Sequence, residues 1–111
     1  MGIQNWSDNI VLVSLEQEPQ LSEDLQLAAA IAEDGQNRDI VVDFQQVSMI
    51  TSSSIAKLLK VRKILNDNDR KLILTSVNPQ IFNVFVVTGL DNVFEFVDER
   101  FLAIAGLQMA N

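Results

Sequence analysis

The stretch IVVDFQQVSMITSSSIAKLL, residues 40–59, decides how the chain is read. It opens inside DIVVDF (39–44), a short apolar run with polar ends, which predicts a buried strand. The loop QQVSMI follows, and then four hydroxyls in a row: Thr51, Ser52, Ser53 and Ser54. From 53 to 66 the apolar residues Ile55, Leu58, Leu59, Val61 and Leu65 recur at helical spacing. Strand, loop and capped helix in this order form the repeating unit of a parallel sheet. One Ser or Thr oxygen is enough to cap a helix, worth about 1 kcal/mol. Capping therefore accounts for one or two of the four hydroxyls and leaves the others to be explained.

The flanking sequence repeats the unit. NIVLVSLE (9–16) is β-branched and apolar, a strand, and IQNW (3–6) before it could pair with it through a turn at Ser7-Asp8. LSEDLQLAAAIAED (21–34) has helical spacing. Ser22 suits its start, with Glu23 and Asp24 facing the positive end of the dipole, and Gly35 suits its stop. KLILTS (71–76) is another strand. NPQIFNVFVVTGL (78–90) reads as a helix with Pro79 in its first position and Gly89 at its exit. NVFEFV (92–97) alternates like an edge strand, and DERFLAIAGLQMA (98–110) closes with a helix. The predicted order is β-β-α-β-α-β-α-β-α in a single domain over 1–111, an α/β fold.

Composition narrows the chemistry. Apolar residues make up 48 % of the 111, charged residues 21 %, and the net charge is −7. That is a globular composition, and its surface repels nucleic acid and anionic lipid. The chain has no Cys and no His, which excludes disulfides, thiolate catalysis, Ser-His-Asp triads and Cys or His metal sites. No metal, cofactor or catalytic residue is expected, and the four scattered glycines form no phosphate loop. No apolar run reaches membrane-spanning length. MGIQNWS lacks the basic region and apolar core of a signal peptide, so a cytoplasmic protein is expected.

The charges are unevenly placed. Lys57, Lys60, Arg62, Lys63, Arg70 and Lys71 are six of the eight basic residues. Over 57–71 they meet only Asp67 and Asp69, giving +4, whereas the rest of the chain carries −11. Lys57, Lys60 and Lys63 fall on one side of the helix, either a solvated face or a dock for an acidic patch. Lys57 lies four residues after Ser53, within reach of a phosphate there. A hydroxyl at the tip of a strand-loop-helix unit is exposed, and a phosphate on it would sit at the positive end of the helix.

Among the other carboxylates, Asp43 ends a strand with no obvious partner, and Glu95, Asp98 and Glu99 suit a solvated loop or helix start. Phe82, Phe85, Phe94, Phe96 and Phe101 are expected in the core. Trp6 is expected to cover the sheet edge or to be partly exposed.

IVVDFQQVSMITSSSIAKLL resembles the central signature of STAS domains, the family of bacterial anti-sigma factor antagonists. There a buried strand ends in Asp or Asn, a short loop carries an apolar pair, and Asp-Ser-Ser-Gly-Leu starts a helix. NPQIFNVFVVTGLDNVFEF (78–96) resembles the family's later Pro-helix-(Thr/Ser)-Gly-Leu-x-x-x-Phe run, and the element order matches along nearly the whole chain. The resemblance implies a mixed four- to five-stranded sheet with about four helices packed mainly on one face. It also implies a regulatory binding protein rather than an enzyme. Unphosphorylated, such a protein binds an anti-sigma factor that is also a serine protein kinase; phosphorylated, it is released. The acceptor position falls on Ser53, with Ser52, Thr51 and Ser54 as alternates. The partner surface falls on Thr51, Ser52, Ser53, Ser54, Lys57 and Lys60.

Thr51 stands where the family has Asp, Ser54 and Ala56 where it has Gly, and the early Gly-x-Leu/Ile-Asp is replaced in LEQEPQLSEDL (15–25). These departures keep open a phosphorylation-independent scaffold, self-associating or assembled with other STAS proteins. A third alternative is a small nucleotide- or ligand-binding domain of flavodoxin-like shape.

Overall fold

The computed structural model describes residues 2–110. Nine elements follow in the predicted order: β1 (Ile3–Asn5), β2 (Ile10–Ser14), α1 (Gln20–Glu33), β3 (Asp39–Asp43), α2 (Ser52–Asp67), β4 (Leu72–Thr75), α3 (Pro79–Val87), β5 (Glu95–Val97) and α4 (Arg100–Ala110). The sheet order is β1-β2-β3-β4-β5. β1 runs antiparallel to β2, and the other three pairings are parallel. The β1–β2 turn is closed by the N–H groups of Trp6 and Ser7, which donate to the Ile10 carbonyl at 3.0 and 3.2 Å.

β3 is central and buried along its whole length, as its unbroken apolar run requires. Alternate residues of the sheet feed two cores. Val11, Val13, Ile40, Val42 and Leu74 face one side, against Leu25 of α1, Leu58 and Val61 of α2, and Phe85 of α3. Ile10, Leu12, Val41 and Ile73 face the other side, against Ala103, Ile104 and Leu107 of α4. Three helices cover one face and one covers the other. Among the described residues no helix is long and apolar enough to cross a membrane.

The helix ends show what sets the frame. Gly35 and Gly89 both adopt positive φ (81° and 75°), the conformation that lets the chain leave α1 and α3. Asn78 caps α3, its side chain accepting the Ile81 N–H at 2.8 Å, with Pro79 next to it. Glu99 starts α4 by accepting the N–H groups of Phe101 and Leu102 (3.2 and 2.7 Å), which makes it a helix-start residue.

Several expectations are corrected. α1 begins two residues before Ser22, because Glu18 supplies the acceptor: it takes the Ser22 N–H at 2.9 Å and the Ser22 hydroxyl at 2.7 Å. Of the two acids expected at the positive end of α1, Glu23 lies in the first turn, whereas Asp24 lies beyond it and is buried, accepting from Gln20 Nε2 at 3.2 Å. β5 is three residues long rather than six, since 90–94 fold into turns in which Leu90 donates to the Phe85 carbonyl (2.7 Å) and Val93 to that of Leu90 (3.0 Å).

Phe85 and Phe94 are core residues, with Phe96 half-buried beside them. Phe82 is on the surface, edge-on to Phe96 at 5.0 Å. Phe101 is 50 % exposed. α4 points Ala103, Ile104 and Leu107 at the sheet, and Phe101 falls beside that stripe. There it meets the half-exposed Trp6 ring at 5.8 Å, and the Arg100 guanidinium lies 4.8 Å from its centroid.

Candidate functional site

The hydroxyl cluster divides in two. Thr51 has extended backbone and caps α2, its Oγ1 accepting the Ser54 N–H at 3.2 Å. The Ser54 hydroxyl turns inward to Thr51 Oγ1 at 3.0 Å, and Ser54 is 1 % exposed. Ser52 and Ser53 occupy the first turn with their side chains outward. The first turn of α2 holds no acidic residue, so its positive end is uncompensated by the helix itself. Lys57 Nζ donates to Ser53 Oγ at 3.3 Å across one turn.

The platform beneath this turn is tied down from both sides. Phe44 and Val47 are buried and anchor the loop that leads to Thr51. Gln17 reaches across to it: Nε2 donates to the Gln46 carbonyl at 2.6 Å, and Oε1 accepts the Ser48 hydroxyl at 3.1 Å. Asn78 Nδ2 donates to the Val47 carbonyl at 3.3 Å, which links the starts of α2 and α3. Met49, 70 % exposed, stands on this loop two residues before the cap. The sequence reading missed Gln17, Asn78 and Met49 as parts of the site. An apolar residue beside a hydroxyl cluster was a usable signal for Met49. No local signal marks Gln17, whose contacts lie about 30 residues away.

The basic stretch also sorts itself. Arg62 Nε donates to the Val93 carbonyl at 2.8 Å, Lys63 pairs with Asp67 at 3.1 Å, and Arg70 pairs with the buried Asp39 at 3.0 Å. These three serve the fold or their own helix. Lys57 and Lys60 instead line a groove of about 310 Å³ between α1 and α2, together with Leu25, Ala29, Ala30 and Glu33 of α1. The structure thus links Ser53 to Lys57 and Lys57 to Lys60, while Lys63 pairs with Asp67 outside the groove.

Glu18 lies on the α1 side of the same surface. Its carboxyl is held below the ordinary range by the Ser22 hydroxyl and N–H, with the Lys57 ammonium acting in the same direction.

Asp43 has partners after all. It is 3 % exposed, accepts from Thr75 Oγ1 at 3.0 Å and pairs with Arg100 at 3.2 Å, and Arg100 also reaches Gln45 at 3.0 Å. A buried carboxylate with both oxygens engaged is structural: it pins the start of α4 to the ends of β3 and β4. The exposed first turn of α2 presents the hydroxyls of Ser52 and Ser53 at a positive helix end, with the ammonium groups of Lys57 and Lys60 following on the same helix.

Residues 10–102 match the family described as the STAS domain. An anti-sigma-B factor antagonist of Staphylococcus aureus is 33 % identical over 75 residues. That alignment covers 68 % of this chain and 66 % of the relative, just under two thirds of its length. Among solved structures, an anti-sigma-factor antagonist (STAS) domain protein from Planctomyces limnophilus superposes with a TM-score of 0.80 at 22 % identity, over 98 % of both chains. The anti-sigma factor antagonist SpoIIAA, unphosphorylated, gives 0.77 at 18 % identity over 96 % of both chains. The phosphorylated form, described as a Bacillus cell fate determinant, gives 0.74 at 18 % over 95 % of this chain and 96 % of that one. At those identities the superpositions speak for the mixed sheet and its four helices. With the sequence match running from β2 into α4, the chain belongs to the STAS domain family, and the named proteins it resembles are anti-sigma factor antagonists.

Proposed function

We propose that this chain is a cytoplasmic anti-sigma factor antagonist that works by partner switching. Unphosphorylated, it binds an anti-sigma factor that is also a serine kinase; phosphorylation of Ser53 releases it. The observation that carries this is the division of labour at α2: Thr51 caps the helix, and Ser53 stands exposed on the first turn. Ser52, on the same turn, is the alternate acceptor, while Thr51 and Ser54 are engaged with each other.

In the exchange the Ser53 oxygen attacks the terminal phosphorus of ATP held by the kinase. The bond to the ADP oxygen breaks, the hydroxyl proton passes to a base of the kinase, and ADP leaves. The chain is substrate and binding partner, and the kinase supplies the metal ion and base. The product carries about −1.5 to −2 charge on a surface where a neutral hydroxyl stood. A partner shaped for Ser53, Lys57 and Lys60 then meets charge and bulk that it cannot desolvate.

The test has two arms. Site-mapping mass spectrometry of the protein from its native host should find phosphate on Ser53. In titrations against the cognate anti-sigma factor, Ser53→Ala should bind like the parent and resist phosphorylation. Equal binding by Ser53→Ala and Ser53→Asp, with no phosphate in the cell, would defeat the switch.

A second reading is favoured by Thr51, which puts a neutral cap where the family resemblance has a carboxylate. The chain would then be a constitutive scaffold, self-associating or joined to other STAS proteins, and light scattering would find assemblies insensitive to substitution at Ser53.

A further inference from the structure

We propose that Lys57 is an intramolecular clamp for a phosphate on Ser53, so that modification adds negative charge to the docking surface and also withdraws a cation from it. This rests on Ser53 being the phosphoacceptor. Lys57 stands where three environments meet. Its ammonium donates to Ser53 Oγ at 3.3 Å, its side chain lines the α1–α2 groove beside Lys60, and the charge of Glu18, just before α1, acts on it. The unmodified hydroxyl offers the ammonium one neutral acceptor at a long distance, so the positive charge stays available to whatever occupies the groove. A phosphate at the same oxygen brings a dianion and three acceptors, and charge-assisted bonds are about twice as strong as neutral ones.

The neighbouring charges favour the transfer. Glu18 already has two donors from Ser22, which outweigh the pull of Lys57 on its carboxyl. The first turn of α2 contributes no carboxylate. Thr51 is neutral and occupied with Ser54, whereas an Asp at that position would repel the phosphate and compete for the ammonium. Lys60, one turn beyond Lys57, would be left as the exposed cation of the groove. A partner drawn to this surface by its positive charge therefore loses on two counts from a single modification.

The clamp can be tested without the kinase. Phosphoserine is installed at position 53 of the full chain during translation, and the phosphate is titrated by phosphorus NMR in the parent, Lys57→Met and Lys57→Arg backgrounds. Met keeps much of the unbranched stem and removes the charge; matched thermal unfolding shows that all three share the fold. A clamped phosphate gives up its second proton at lower pH. Lys57→Met is expected to raise that midpoint by about 0.5 unit, the size of a partly exposed ion pair. Lys57→Arg should restore most of it. Coincident midpoints for the parent and Lys57→Met overturn the clamp, and so does a Lys57→Arg value as high as that of Lys57→Met. Because the phosphate is placed by translation, these outcomes are independent of whether Ser53 is modified in the cell, which the site mapping decides.

Discussion

α2 and α3 both start after a parallel strand of the same sheet, and both are capped by one side-chain oxygen that takes the N–H three residues on. Thr51 does this for α2 at 3.2 Å and Asn78 for α3 at 2.8 Å. α3 then proceeds with Pro79 and Gln80, and nothing further is needed to begin it. α2 proceeds with Ser52 and Ser53, whose hydroxyls give no cap bond, and with Lys57 turned back onto Ser53. The two starts have equal folding needs and unequal chemistry. The difference teaches that a helix start can carry hydroxyls beyond the one its cap bond uses.

The largest expected effect sharpens this contrast. Ser53 and Gln80 hold the same position, second after the cap, and both are exposed. Ser53→Asp should weaken binding to the proposed anti-sigma factor partner by tenfold or more, while Gln80→Asp leaves it unchanged. Each acid sits at a positive helix end, so each should raise stability slightly, by about 0.3–1 kcal/mol. Loss of binding with gain of stability in Ser53→Asp alone is the signature to look for in paired titration and urea unfolding. Equal losses of binding in both variants would break the comparison.

Next in size are the caps. Thr51→Ala and Asn78→Ala should each cost about 1 kcal/mol in urea unfolding. A much larger loss for Thr51→Ala would mean that the buried Ser54 hydroxyl, left without its partner, adds its own penalty. Smaller still, Ser52→Ala and Ser53→Ala should shift stability by less than about 0.5 kcal/mol, as surface changes do. A loss near that of the caps would return the surplus hydroxyls to structural duty.

The smallest effect is a pH dependence. The carboxyl of Glu18 has its folded pKa lowered from 4.5, first by the Ser22 hydroxyl and then by the Ser22 N–H. Its contribution is therefore present above the unfolded value and lost as pH falls through the lower folded value. Glu18→Gln should lower stability slightly at neutral pH, where the contribution is present, and flatten the profile below about pH 4.5, where the parent loses it. Urea midpoints measured from pH 3 to 7 check this.

Much of the architecture was legible in the chain. Short apolar runs, one alternating segment and period-3.6 spacing named the elements in order, and Pro79, Gly35 and Gly89 marked ends that the structure keeps. The edge position of β5 was legible too, from its alternating pattern. Errors came where a local rule met a distant partner. Phe101 was assigned to the core on composition, but the stripe that α4 presents to the sheet runs through Ala103, Ile104 and Leu107. Asp43 looked unpartnered because Arg100 lies 57 residues away.

The candidate site follows the same division. By itself the sequence determined that a hydroxyl-rich helix start follows a buried strand, that the chain lacks thiol and imidazole chemistry, and that its positive charge gathers between residues 57 and 71. Those are properties of neighbours along the chain, and the spacing of side chains on a strand or helix sets them. Only the tertiary structure decided which hydroxyls face outward and which lysines share their surface. Ser54 is buried because α2 packs on the sheet, and Lys57 and Lys60 border a groove because α1 lies beside α2. Exposure and proximity between elements depend on how separate segments pack, and no local periodicity encodes that.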